Sequence, residues 1–133
     1  MDDILVPTSP GELIDKITIL RIKSERIADA AKLANVRAEL AALQRVAATH
    51  LPERADLGEM ARELYLVNVA LWEIEDDIRG CERAGDFGDR FVALARSVYR
   101  TNDRRAAVKK QINLALGSAL LEEKSYDDSG EDA

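Results

Sequence analysis

Residues 56–85 read DLGEMARELYLVNVALWEIEDDIRGCERAG. Leu57, Met60, Leu64, Val67, Leu71, Ile74 and Ile78 recur at alternating spacings of three and four, the period at which side chains return to one face of an α-helix. The stretch predicts a long amphipathic helix over about 57–83. The Asp56-Leu57-Gly58-Glu59 capping pattern opens it, and Gly85, free to take the left-handed turn that ends helices, closes it. A single apolar stripe of that length has to be covered by other helices, so the fold built around it is all-α.

Working upstream, Ser9-Pro10-Gly11-Glu12 reads as a helix start: a hydroxyl cap, proline at the first helical position, and Glu12 placed to reach back. The helix it opens runs from Pro10 to about Ala28, with Leu13, Ile17, Leu20 and Ile27 on one stripe and Ile14 beside it. Ile19 and Ile22 fall on the opposite side, where a surface helix is normally polar. This helix is therefore either central in the fold or buries a second face against another copy of the chain. Asp29 is a plausible cap for a second helix, carrying Leu33, Val36, Leu40 and Leu43 to about Thr49, where Leu51-Pro52 stops it. One continuous helix from 10 to 48 is the alternative, since Ala30 and Ala31 break nothing. Ile4 to Pro7 is a short extended apolar segment, expected to lie against the bundle surface.

Downstream, Phe91, Leu94, Ala95 and Val98 open a further helix after Asp86. The same stripe projected forward then meets Asn102, Arg105 and Lys109 before Ile112 and Leu116. Either Thr101-Asn102-Asp103 separates two helices, with Gly117 ending the second, or polar groups interrupt one apolar face. The architecture expected is an antiparallel helical bundle of four to five helices.

The 133 residues, 47% of them apolar, suffice for one core and one domain. The last twelve residues hold six acids and one lysine, which is most of the net charge of −6, so the body before them is close to neutral. They have too little apolar content to fold. No window approaches a membrane span, and no basic-then-apolar leader opens the chain. Cys81 is the only cysteine, so no internal disulfide forms, in keeping with the cytoplasm.

The polar interruption is where chemistry is sought. On the 57–83 helix, Asn68, Trp72, Glu75, Asp76 and Arg79 share one side. Packing against the last long helix would set Glu73–Asp77 opposite Arg96, Arg100, Arg105 or Lys109. The candidate polar site is accordingly Asp15, Asn68, Trp72, Glu75, Asp76, Asn102, Arg105 and Lys109; the plainer alternative is a set of solvated faces with ordinary ion pairs. Glu12 with Asp15 and Glu73 with Asp76 place carboxylates one turn apart, a spacing that can serve Mg²⁺. The Glu-x-x-Glu half of the longer acidic pattern in helical nucleotide pyrophosphohydrolases is missing, however, and no metal or cofactor is assigned. His50 stands alone, which argues against zinc. Residues 90–110 are basic enough for an anion, but no nucleic-acid motif frames them. There is no Gly-rich phosphate loop and no visible nucleophile setting. Trp72 and Tyr65, at helical spacing, are expected to pack in the core.

Several segments together carry a resemblance: Val6-Pro7-Thr8-Ser9-Pro10-Gly11-Glu12-Leu13-Ile14-Asp15-Lys16-Ile17-Thr18-Ile19-Leu20, Leu71-Trp72-Glu73-Ile74-Glu75-Asp76, Ala95-Arg96-Ser97-Val98-Tyr99, Asn102-Asp103-Arg104-Arg105-Ala106, Ile112-Asn113, Gly117-Ser118 and Glu123-Lys124-Ser125-Tyr126. The chain resembles an uncharacterised family of short bacterial proteins that bears only a domain-of-unknown-function label. The resemblance implies no activity or catalytic residues. It does imply that Lys124–Tyr126 belong to the domain, giving a single helical domain over 1–126 and a disordered acidic tail over 127–133.

Two functions follow as expectations. The first is a non-enzymatic helical interaction protein, a homo-oligomer joined through the second face of the first helix, with no membrane or nucleic-acid partner. The alternative is a small helical enzyme or ligand-binding protein with a polar site between the two long helices, Mg-dependent or not, that takes a small phosphorylated or otherwise anionic ligand.

Overall fold

A computed structural model of the protein describes residues 1–123, and within them the chain folds into four helices: α1 (Pro10–Arg26), α2 (Ala30–His50), α3 (Ala55–Ala84) and α4 (Asp89–Ala115). No strand occurs among the described residues. The Lys124–Tyr126 stretch assigned to the domain and the acidic 127–133 stretch expected to be disordered lie outside them.

The helix ends follow local chemistry. The Ser9 hydroxyl accepts from the Glu12 amide at 3.2 Å, and Pro10 supplies the preset φ of the first turn. Glu12 does not reach back to complete a capping box; its carboxylate goes to Lys109 instead. Ile27 takes an extended conformation, and the Asp29 carboxylate accepts from the Lys32 amide at 2.9 Å, so residues 10–50 are two helices and not one. α3 begins one residue ahead of the expected Asp56 cap. Asp56 lies inside the first turn, where it holds Arg54 and the Leu57 amide. Gly85 closes α3 at φ 67°, a left-handed conformation that costs glycine nothing. The Thr101–Asp103 stretch breaks nothing: α4 is one 27-residue helix, which fixes the count at four.

α1 packs against all three other helices and α3 against α4, while α2 touches α1 alone among the helices. Central placement accounts for the two apolar faces of α1. Ile22, on the face that hinted at a second copy, is 1% exposed within the chain, and Ile19 is half-buried. The continuous core joins Ile14, Leu57, Leu64, Val108 and Ile112, with Leu51, Met60, Ala61 and Leu116 around it. It lies where α1 meets the first half of α3 and the second half of α4. Leu71, Ile74 and Ile78, expected to continue the core, are only half-buried. For Ile74 and Ile78 the reason is length: a 17-residue helix covers roughly 25 Å and a 30-residue helix roughly 45 Å, and α1 ends where Arg26 meets Glu73, while Leu71 borders the open hollow beside Ile19 and Ile22.

Two further expectations fail. Ile4, Leu5 and Val6 do not lie on the bundle; they are 78%, 91% and 71% exposed. Tyr65 and Trp72 are half-buried and outside the core. Tyr65 donates its hydroxyl proton to Glu25 at 2.8 Å and carries the Arg21 guanidinium 4.4 Å from its ring centre.

The closest approach in the bundle is at Gly11, where a Cβ would stand 2.5 Å from the Lys109 carbonyl oxygen and 2.9 Å from Asn113 Oδ1. Gly11→Ala is expected to push α1 from α4 and cost about 1–3 kcal/mol. Gly58→Ala, in the first turns of α3 with nothing within 4 Å, is expected to gain about 0.5–1 kcal/mol. Urea denaturation of both variants reads the contrast; equal effects would mean that the Gly11 contact is not tight.

Candidate functional site

Asp15 sits in the middle of α1 at 1% exposure. A buried carboxylate is tolerated only with a full set of donors. Arg105 supplies a two-pronged set, its Nε donating to Oδ1 at 2.9 Å and its Nη2 to Oδ2 at 2.5 Å. Asn68 of α3 adds an Nδ2 bond to Oδ1 at 2.9 Å and another to the Thr18 hydroxyl at 2.9 Å. Thr18, one turn on from Asp15, donates to the Asp15 carbonyl at 2.8 Å. The bonds from Asp15 outweigh the cost of burial and raise the Arg105 pKa above its ordinary value.

The line continues down α4 at four-residue intervals. Lys109 places Nζ 3.0 Å from Glu12 and 2.9 Å from Glu122. Burial pulls the Lys109 pKa down, but Glu122 and Glu12 more than reverse this and leave it raised. Asn113 Oδ1 accepts from the Gly11 amide at 2.7 Å, satisfying a donor that the first turn of α1 cannot. Gly11, Glu12 and Asp15 of α1 thus meet Asn113, Lys109 and Arg105 of α4 in reverse order. Among the described residues no buried side-chain nitrogen or oxygen lacks a partner. This is a closed polar clasp among α1, α3 and α4.

The eight candidate residues therefore divide. Asp15, Asn68 and Arg105 come together, with Lys109 one turn away. Trp72, Glu75 and Asp76 do not join the clasp. They line an adjoining open hollow of about 650 Å³ whose walls also include Ile19, Ile22, Lys23, Leu71 and Arg79, and which Asn68 and Arg105 border. Asn102 is half-buried, and none of the hydrogen bonds of the clasp involves it. The acids of α3 do not face the cations of α4 as expected: Glu73 pairs with Arg26 at 3.4 Å and Glu75 with Arg79 at 3.8 Å, while Arg105 and Lys109 turn to α1. Glu12 and Asp15 serve different cations, and among the described residues no three His, Cys, Asp or Glu side chains gather as a metal site.

Sequence reasoning missed Thr18, Asn113 and the acceptor role of Glu12. Asn113 follows Arg105 and Lys109 at the same four-residue step, so continuing that row would have found it.

A second open feature lies between α2 and α3, which do not touch, on a floor provided by α1. This groove of about 880 Å³ is lined by Ile14, Ile17, Leu51, Leu57, Ala61 and Leu66 among others, with Arg21, Arg54 and Arg62 against a single acid, Glu53. Leu66 is exposed there.

The chain belongs to a family of unknown function (DUF6165), whose model matches residues 4–130. No curated protein and no solved structure matches it.

Removing one member of the clasp leaves the other stranded. Arg105→Met is expected to cost about 3–5 kcal/mol, because Asp15 stays buried without its counter-charge. Arg105→Met combined with Asp15→Leu is expected to be more stable than Arg105→Met alone. Urea unfolding of the two single variants and the double variant tests this; strictly additive losses would rule out the coupling.

Proposed function

We propose that this protein is a non-enzymatic helical interaction protein that self-associates through the apolar surface around α2. The observation that carries the reading is α2 itself. Its 21 residues include the stripe Leu33, Val36, Leu40 and Leu43, all four only half-buried, and among the described residues the helix packs on α1 alone, with none of its residues fully buried. A helix of that length with an apolar stripe normally gains its stability by burying it. The exposed Val46 and Leu66 extend the same surface toward the groove. The reading thus moves from the second face of α1, which the chain fills by itself, to α2. It sets the protein in a bacterial cytoplasm, in keeping with a lone, buried Cys81 and with the absence of any described helix long and apolar enough to cross a membrane.

A second reading attaches to the hollow beside Trp72. Lys23, Arg79 and Arg105 border it together with the only tryptophan of the chain, a setting suited to a small planar anion such as a nucleotide. With Glu75 and Asp76 on the same wall, this reading is the weaker of the two.

Light scattering across a hundredfold range of concentration tests the first reading. A mass of at least two chains is expected, and Leu66→Glu, at an exposed position, is expected to return the monomer with its helical circular dichroism intact. A monomer at every concentration would overturn it. For the second reading, millimolar nucleotides or sugar phosphates, with and without Mg²⁺, are expected to raise the melting temperature and shift the emission of Trp72. A response in neither would remove it.

A further inference from the structure

We propose that the groove between α2 and α3 receives the N-terminal arm of a second copy of this chain, with Ile4, Leu5 and Val6 seated on its apolar lining. The inference rests on the self-association reading and names its contact. Three consecutive aliphatic side chains stand exposed ahead of α1, uncovered among the described residues. The groove offers the matching surface in half-buried Ile17, Leu51 and Ala61 and exposed Leu66, over a floor closed by the core residues Ile14 and Leu57.

Charge fixes the fit. The arm opens with Asp2 and Asp3 and carries no side-chain cation, whereas the groove presents three arginines and one glutamate. Arg54 already holds Asp56, and Arg21 lies on Tyr65, but Arg62 makes no ion pair among the described residues, so the groove keeps an excess of positive charge near its apolar floor.

A second copy suits the arm better than its own groove. Pro7 and Pro10 bracket the two residues that join the arm to α1, and each holds its segment extended. The first turn of α1 is pressed against α4 through Gly11, whereas the groove opens between α2 and α3. With Ile4, Leu5 and Val6 71–91% exposed, the arm projects ahead of α1 and is not folded into the groove of its own chain. Two copies exchanging arms bury both in one closed, two-fold contact, with no unpaired groove left to propagate a filament.

The test mixes two full-length proteins, one carrying Leu5→Cys and the other Leu66→Cys, both with Cys81→Ser and both checked for helical content. Mild oxidation of the equimolar mixture is expected to give a covalent dimer in which a peptide containing position 5 is joined to one containing position 66. Asp2→Lys with Asp3→Lys is expected to weaken association about tenfold at low salt, with the loss shrinking as salt rises. If the unmodified protein scatters as a dimer but the mixture gives no such link, the arm contact is wrong while self-association stands. If the doubly substituted Leu5→Cys/Leu66→Cys protein closes the disulfide within a monomer, the arm occupies its own groove and the exchange is overturned. A monomer at all concentrations removes both readings.

Discussion

A carboxylate placed at the centre of a helix that is itself central in a bundle has to be answered from every side. Asp15 is answered by Arg105 from α4 and by Asn68 from α3, whose amide the Thr18 hydroxyl also holds in place. The pair brings Coulomb attraction and geometry at once, because the planar guanidinium meets the two oxygens along its Nε and Nη2 edge. It therefore sets the rotation of α4 about its axis and its register along α1. The positions of Lys109 and Asn113, each four residues further on, follow from that setting. Hydrophobic burial supplies the attraction among the three helices, and the clasp selects which of their many possible packings is adopted.

The same pairing decides what is left over. The cations of α4 that turn inward are committed to α1, so the basic run of residues 90–110 presents fewer free charges than its composition suggests. Among the described residues the less covered surfaces lie elsewhere: the hollow beside Trp72, the half-buried apolar face of α2, the groove next to it and the exposed arm. An interaction function fits this distribution of committed and uncommitted surface better than an active site built on the clasp.

Much of this was legible in the residues. The three-four spacing from Leu57 onward identified α3, Ser9-Pro10 and Asp29 marked two helix starts, and the polar break in the α4 stripe pointed to Arg105 and Lys109. Asp15 and Asn68 were also picked out, although not as one another's partners. What periodicity does not encode is which helix faces which. Glu73 to Asp77 and the cations of α4 are oppositely charged and looked like partners, yet Arg105 and Lys109 turn to Asp15 and Glu12 of α1 instead. The stripe of α3 likewise gave no sign that α1 is too short to cover Ile74 and Ile78. The continuity of α4 through Thr101–Asp103 was equally hidden, since polar residues at a stripe position read alike whether they break a helix or face a buried acid.

The clasp also has an order in time. Gly11 and Asn113 are 102 positions apart, and Asp15 and Arg105 are 90 apart. During synthesis, α1 and α2 leave the ribosome long before α4 exists, so Asp15 stays without Arg105 until nearly the whole chain has emerged. The first helix made is the last to be locked, and a chain lacking the end of α4 would leave Asp15 without its counter-charge.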